Sequence, residues 1–385
     1  MSSMGEQRFI PETPAEIDAA WLSGVLQRDV KTVQHTFLGE GVGFMGEVLK
    51  LTVTFADMSQ QVLVAKIPKK ENRTSGELLG VYERESMFFE TLASSTPVRL
   101  PALIYGDFDR DRGSENQREI LASMDKLPLW LARLATHAGK FVAARKQRRY
   151  VLLIEYLDML PGDQLAGLGA ERASLVLSSF AAVHRHYWQV PTLDEHFWLL
   201  PLNIDARLRH SMYLQHVEAF RKEVAVDFGD SLDWLRNHGE TLSRRFTEDA
   251  PNTLLHCDLR LDNVVFDGDS CAFIDWQLVR KGPAAYDVAY FLSSALLTEV
   301  RDVTSVLQTY HQALGVPDYT FAQFRADYER ALLVILSSLS TVAEVDVGDG
   351  RGAQIMAKWF ERLAARIGEV DLNAEHFAAL ERKAG

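Results

Sequence analysis

His256-Cys257-Asp258-Leu259-Arg260-Leu261-Asp262-Asn263 places a carboxylate and an amide five residues apart in the pattern H-x-D-L-x-x-x-N. That spacing suits phosphoryl transfer to a hydroxyl. Asp258 can orient an acceptor O–H and take its proton, while Asn263 turns its amide oxygen toward a magnesium ion on the phosphates. A second carboxylate follows in Phe273-Ile274-Asp275-Trp276, at the end of a short apolar run that reads as a hairpin strand. Asp275 is the expected main magnesium ligand, because a carboxylate neutralises the ion as an amide does not. A chance run of loop charges accounts for the first motif alone and poorly for both.

Two further features lie upstream. Gly41-Val42-Gly43-Phe44-Met45-Gly46-Glu47-Val48 fits G-x-G-x-x-G-x-V, in which the missing side chains of Gly41, Gly43 and Gly46 let backbone amides approach phosphate oxygens. A dinucleotide-binding turn would lead into a helix. Here an alternating strand, Val48 to Phe55, follows instead, so the glycines suit a flap between two strands. Lys66 closes the next strand, Val62 to Lys66, as a cation for the nucleotide phosphates. Either Glu83 or Glu85 on the following helix can hold it. Glu85 is preferred, because it lies three residues before the Phe88-Phe89 pair and shares the inward helix face.

The elements that must position these groups change character along the chain. Apolar spacing predicts a helix over Pro14 to Leu26, β-rich runs from Thr36 to Lys66, one helix over Glu77 to Ala93, and strands over Ala102 to Asp107 and Tyr150 to Tyr156. An insert, Arg110 to Arg149, separates the last two, with Trp130, Leu134 and Phe141 on one helix face and a basic end at Lys140, Arg145, Lys146, Arg148 and Arg149 that reads as solvated. Beyond Leu157 helical periodicity dominates, interrupted by the β-rich patch Val264 to Ile274 with its Asp267-Gly268-Asp269 turn. The expected organisation is an N-terminal nucleotide-binding lobe over 1–157 and a C-terminal helical catalytic and substrate lobe over 158–385.

Composition supports a globular enzyme and excludes other classes. With 385 residues, 47% hydrophobic and 24% charged, the chain can bury a sizeable core. A formal net charge of -12 disfavours nucleic acid and anionic membrane as partners. Cys257 and Cys271 are the only cysteines, too few for a disulfide framework and typical of a reducing, cytoplasmic setting. The opening stretch Met1 to Pro14 lacks the apolar core of an export signal, and the apolar stretch Ala331 to Val342 is shorter than the roughly 20 residues of a membrane span.

Glycine flap, strand lysine, H-x-D…N loop and strand-end aspartate, in that order, carry a resemblance. The chain resembles the aminoglycoside phosphotransferase and choline kinase superfamily, within it most the ecdysteroid-kinase-like branch and its bacterial relatives. Gly39 to Gly46, His256 to Asn263, Ile274-Asp275-Trp276-Gln277 and Gly282 to Ala289 match, and the likeness runs from about Gly39 to Leu297 outside the insert. It implies an α+β, protein-kinase-like two-lobed fold with a small β-rich N-lobe and a larger mainly helical C-lobe. It further implies ATP and Mg2+, Asp258 as catalytic base, Asn263 and Asp275 as metal ligands, Lys66 and Glu85 at the phosphates, and Glu155, Tyr156 and Leu157 as the connector whose backbone meets adenine. Asp287 would brace the catalytic loop. Cys257 departs from the glycine usual there. His184 matches a helix motif of the family and reads as a satisfied core histidine.

The resulting expectation is an ATP- and magnesium-dependent kinase acting on a hydroxyl of a small molecule. A protein kinase would need an activation segment ending in A-P-E, for which the eleven residues between Asp275 and Asp287 leave no room. The other readings are an aminoglycoside or choline-type kinase and, in a different class, a non-catalytic nucleotide-binding protein. Aromatic and aliphatic residues of Phe291 to Leu297 and Trp359 to Leu363 suggest a pocket for a largely apolar alcohol, steroid-like or hydroxyacyl.

Overall fold

A computed structural model of the chain describes residues 9–38, 46–70, 73–110, 117–128, 130–131, 134, 148–340 and 350–381. Gly41 and Gly43 and most of the insert, including Lys140 to Lys146, lie outside them. The chain divides into two units: Met1–Ser94, Pro101–Arg112 and Thr136–Asp158 form the first, and Ser95–Leu100, Gly113–Ala135 and Met159–Gly385 the second.

The first unit is built on five antiparallel strands. β1 (Val30–Leu38), β2 (Gly46–Phe55), β3 (Gln60–Pro68), β4 (Leu103–Phe108) and β5 (Tyr150–Glu155) pair in the order β1-β2-β3-β5-β4. Period-two alternation in β2 sends Leu49, Leu51, Val53 and Phe55 to one face. There they pack with Leu63, Ala65, Ile67, Val151 and Leu153, under Ile10, Ile17 and Leu22 from the N-terminal segment. Ile17 also marks a break in the predicted leading helix, which is a short turn, Pro14–Glu16, followed by α1 (Ala19–Leu26) capped by Asp18. The single helix expected over Glu77 to Ala93 is likewise two, α2 (Arg73–Leu79) and α3 (Val81–Thr91). Gly80 separates them at φ 65°, a left-handed conformation that glycine adopts without Cβ strain.

The second unit is mainly helical: α4 (Gln117–Lys126), α5 (Ala170–His186), α6 (Ala206–Glu223), α7 (Ser231–Asp249), α8 (Ala285–Ala295), α9 (Thr304–Leu314), α10 (Phe321–Leu339), α11 (Arg351–Ile367) and α12 (Glu375–Glu381). Two small sheets interrupt them. β6 (Leu160–Pro161), β8 (Val264–Asp267) and β9 (Ser270–Phe273) form one, and β7 (Asn252–Leu255) pairs with β10 (Arg280–Pro283) in the other. β10 lies in the stretch after Ile274 where helical periodicity dominates; the strand runs through Pro283 and α8 starts two residues later. The strip Ser95–Leu100 belongs here because Arg99 accepts from the Phe273 N–H at 3.1 Å and the side chains of Ser95 and Thr96 meet the Tyr187 hydroxyl at 3.0 and 3.1 Å. Among the described residues no helix is long and apolar enough to cross a membrane.

Candidate active site

In the first unit the β2/β3/β5 register fixes Lys66 opposite Val48 on one side and Leu152 on the other. Its Nζ donates to Glu85 Oε1 at 2.6 Å, with the two side chains 17% and 8% exposed. The alternative acid, Glu83, instead receives Arg148 Nη1 at 3.0 Å. Gly46 opposes Pro68 in the same ladder, and a Cβ added to it would stand 3.2 Å from the Ile67 carbonyl oxygen. Close strand approach is thus what this glycine permits. Glu155 is tied to Ala102 twice, its N–H donating to the Ala102 carbonyl and its Oε2 accepting the Ala102 N–H. Lys50 stands 4.2 Å over the Tyr156 ring, and Leu157 is half-buried.

In the second unit the loop after β7 is held from beneath by α8. Asp287, fully buried, accepts the His256 N–H at 2.7 Å on Oδ2 and the Cys257 N–H at 2.9 Å on Oδ1. His184 stands 3.3 Å from the same carboxylate and 2.6 Å from the Tyr310 hydroxyl, so it is a core histidine that orients Asp287. His256 Nδ1 accepts the Asp258 N–H at 3.3 Å, which leaves its proton on Nε2 to donate to the Ile274 carbonyl at 3.0 Å. These contacts bend the chain so that Cys257 sits at φ 61°. Asp275 is also left-handed, at φ 65°.

Asp258 itself is almost enclosed. Asn263 Nδ2 donates to its backbone oxygen at 2.8 Å and to its Oδ2 at 3.0 Å, and the Tyr290 hydroxyl donates to Oδ1 at 2.8 Å. Burial pushes the carboxyl above its ordinary value; Arg260 opposes this from 3.6 Å, and Asp275 adds to it. With both Asn263 amide protons committed to Asp258, its Oδ1 is the atom left to face a cation. The Ile274 N–H donates to the Asn263 carbonyl at 3.0 Å, so Asn263 and the residue before Asp275 are joined directly. Asn263 and Asp275, tied through the backbone at Ile274, would offer one amide oxygen and one carboxylate, a donor set of the hard-oxygen kind that fits a magnesium ion. Among the described residues no cluster of three or more His, Cys, Asp or Glu forms a metal site.

Reading the sequence missed Tyr290 and overrated two apolar segments. Tyr290 lies three residues after Asp287 on α8, and that i,i+3 spacing was the available signal. Phe291, Leu292, Ala295 and Leu363 are fully buried and Leu296 nearly so, hence they are core and not pocket wall. Trp359 differs: its ring packs edge-on to Tyr290 at 4.9 Å. Trp130 and Leu134 of the insert, assigned to one helix face, are 67% and 62% exposed.

The strained position gives a stability test. A left-handed φ costs an ordinary residue about 1–2 kcal/mol, and more for a β-branched one. Cys257→Gly removes that cost but also a buried side chain of comparable worth, so its stability is expected within about 1 kcal/mol of the parent. Cys257→Val, β-branched and about one methyl group larger than the cysteine, is expected to lose about 2 kcal/mol. Thermal unfolding of both variants checks this, and equal tolerance of valine would contradict the strain.

A model of the Phosphotransferase enzyme family (APH) matches residues 71–325. The chain belongs to this family and is a small-molecule phosphotransferase of the aminoglycoside phosphotransferase and choline kinase superfamily. No protein of curated function matches it in sequence. Its fold is similar to that of the microcompartment-associated aminopropanol kinase, at 12% identity and a TM-score of 0.51, covering 91% of this chain and 97% of that one. A GDP complex of a mutant aminoglycoside 2'-phosphotransferase-IIIa is similar at 13% identity and a TM-score of 0.51, covering 90% and 94%. The GDP and kanamycin complex of a second aminoglycoside enzyme follows at 13% and 0.50, covering 91% and 99%. These likenesses support the α+β kinase-like fold.

Proposed function

We propose that the chain transfers the terminal phosphoryl group of ATP, with magnesium, to a hydroxyl of a largely apolar, uncharged or weakly anionic small molecule. The observation that carries this reading is Asp258, a buried carboxylate braced through Asp287 and held by Asn263 and Tyr290. Asp258 orients the acceptor hydroxyl and receives its proton as the acceptor oxygen bonds to phosphorus and the bond to the nucleoside diphosphate breaks. Asn263 and Asp275 would hold the magnesium ion, which would supply charge neutralisation at the phosphates. In the first unit, Lys66, fixed by Glu85, meets phosphate oxygens, Gly41, Gly43 and Gly46 admit backbone amides to them, and the backbone of Glu155, Tyr156 and Leu157 receives adenine. The nucleotide-binding role falls to the first lobe and catalysis and acceptor binding to the second.

An apolar acceptor is favoured by the Trp359 and Tyr290 rings beside Asp258. Asp302, an exposed acid just before α9, accepts the Thr304 N–H at 2.8 Å. Transfer from ATP to a panel of alcohols, aminoglycosides and choline, read by mass spectrometry, tests the reading. The expected result is a higher kcat/KM for an apolar alcohol; higher values for kanamycin-type sugars or choline would replace it. Nucleotide binding without transfer to any acceptor would favour the non-catalytic alternative.

A further inference from the structure

A charge cluster in the second unit is left unused by these steps. Arg209, on α6, donates from Nε to Asp205 Oδ1 at 2.7 Å and from Nη2 to the Leu202 carbonyl at 2.9 Å. Arg280, on β10, donates from Nη1 to the Pro201 carbonyl at 3.2 Å. Both guanidinium groups therefore lean on one short stretch, Pro201 to Asp205. The neighbouring Lys281 is already paired with Asp194. Burial pushes Arg280 below the ordinary arginine range and Arg209 pushes the same way, with Asp205 as the carboxylate that opposes them. Two arginines face a single aspartate, and the balance is positive. Like charges crowded together in partial burial are a cost to folding, and a bound anion would relieve it.

The cluster is open and close to the chemistry. Arg209 and Asp205 keep 28% and 23% of their side-chain surface, and Arg280 is half-buried, so a ligand can reach all three. Cys257, the residue before Asp258, lies within the field of both arginines, as does Tyr286. The Tyr286 ring is 6.0 Å from the Tyr290 ring, whose hydroxyl bonds Asp258. One ring contact and one hydrogen bond thus link Tyr286, which lies within the field of the two arginines, to the base. Arg280 commits one donor to Pro201 and keeps the rest of its planar fork for a two-oxygen acceptor.

We propose that Arg209 and Arg280 form an anion subsite for the acceptor, whose substrate class is then a hydroxy compound that also bears a carboxylate or phosphate. This rests on the reading of Asp258 as the base. It narrows the acceptor to the anionic side of that reading and sets the subsite against polycationic sugars and choline, which it repels.

The test pairs ω-hydroxycarboxylates of increasing chain length with their methyl esters, and hydroxyalkyl phosphates with the corresponding diols. Transfer from Mg-ATP gives the ratio of kcat/KM for each anion over its neutral partner, and calorimetric titration gives binding without turnover. The parent enzyme is expected to favour the anion, and Arg280→Gln to reduce that ratio roughly ten- to a hundredfold with the neutral partner little changed. Asp205→Asn, which removes the opposing carboxylate, is expected to move the ratio the other way, a change that mere misfolding does not produce. Anion-selective binding without transfer would uphold the subsite and refute the phosphotransfer reading. Transfer with no anion preference, equal titration of acid and ester, no heat from either, or a ratio that neither variant moves, would overturn the subsite while leaving transfer to be judged by its own product. A preference for phosphates over carboxylates, or the reverse, identifies the group within the class.

Discussion

Asp258→Asn is expected to lower transfer by about 10²- to 10⁴-fold, the usual contribution of a general base, while ATP binding and thermal stability stay near those of the parent. The amide keeps the shape of the carboxylate, and its oxygen can still accept from Tyr290 or Asn263, so the loop held by Asp287 has no reason to move. What disappears is the proton acceptor and its charge. Turnover close to normal in the variant would assign the proton to some other group. A large drop in unfolding temperature would instead make Asp258 part of the scaffold.

Asp275→Ala is expected to abolish magnesium-dependent nucleotide binding, and Asn263→Ala to weaken it less, because only the first removes a charge from the metal. The asymmetry is sharpened by a second effect of opposite kind. Asn263 also donates to the Asp258 backbone and side chain, so its loss should cost turnover beyond what nucleotide affinity accounts for. Titration of Mg-ATP by calorimetry, alongside single-turnover transfer, separates the two. Equal binding losses, or a larger one for Asn263→Ala, would mean that the ligands are assigned wrongly.

How much of this was legible in the sequence depended on chain separation. Asp258 and Asn263 are five residues apart, so loop spacing alone brought them together, and the Lys66 to Glu85 pair followed from a strand end and one helix face. Tyr290 is 32 residues from Asp258. Only the path of α8 beneath the loop brings it there. Arg209 and Arg280 come from a helix and a strand that meet through tertiary packing, and neither belongs to a motif. Phe291 and Leu363 were misread for a related reason: periodicity says which side chains leave water, and core and pocket wall both do so. The division of the helix at Gly80 was legible in its glycine, but apolar spacing continued across it.

The strip Ser95–Leu100 has a consequence for modularity. It is encoded between two stretches of the first unit, yet it hydrogen-bonds to Phe273 and Tyr187 of the second. A gene fragment cut after Asp158 would therefore strip the downstream half of the pairing that Arg99 gives the strand leading to Asp275. Exchange of acceptor specificity between relatives by swapping contiguous halves would carry this mismatch with it. Recombination that moves the strip together with residues 159–385 keeps the β9 edge satisfied, and chimaeras designed that way should be the ones that remain foldable.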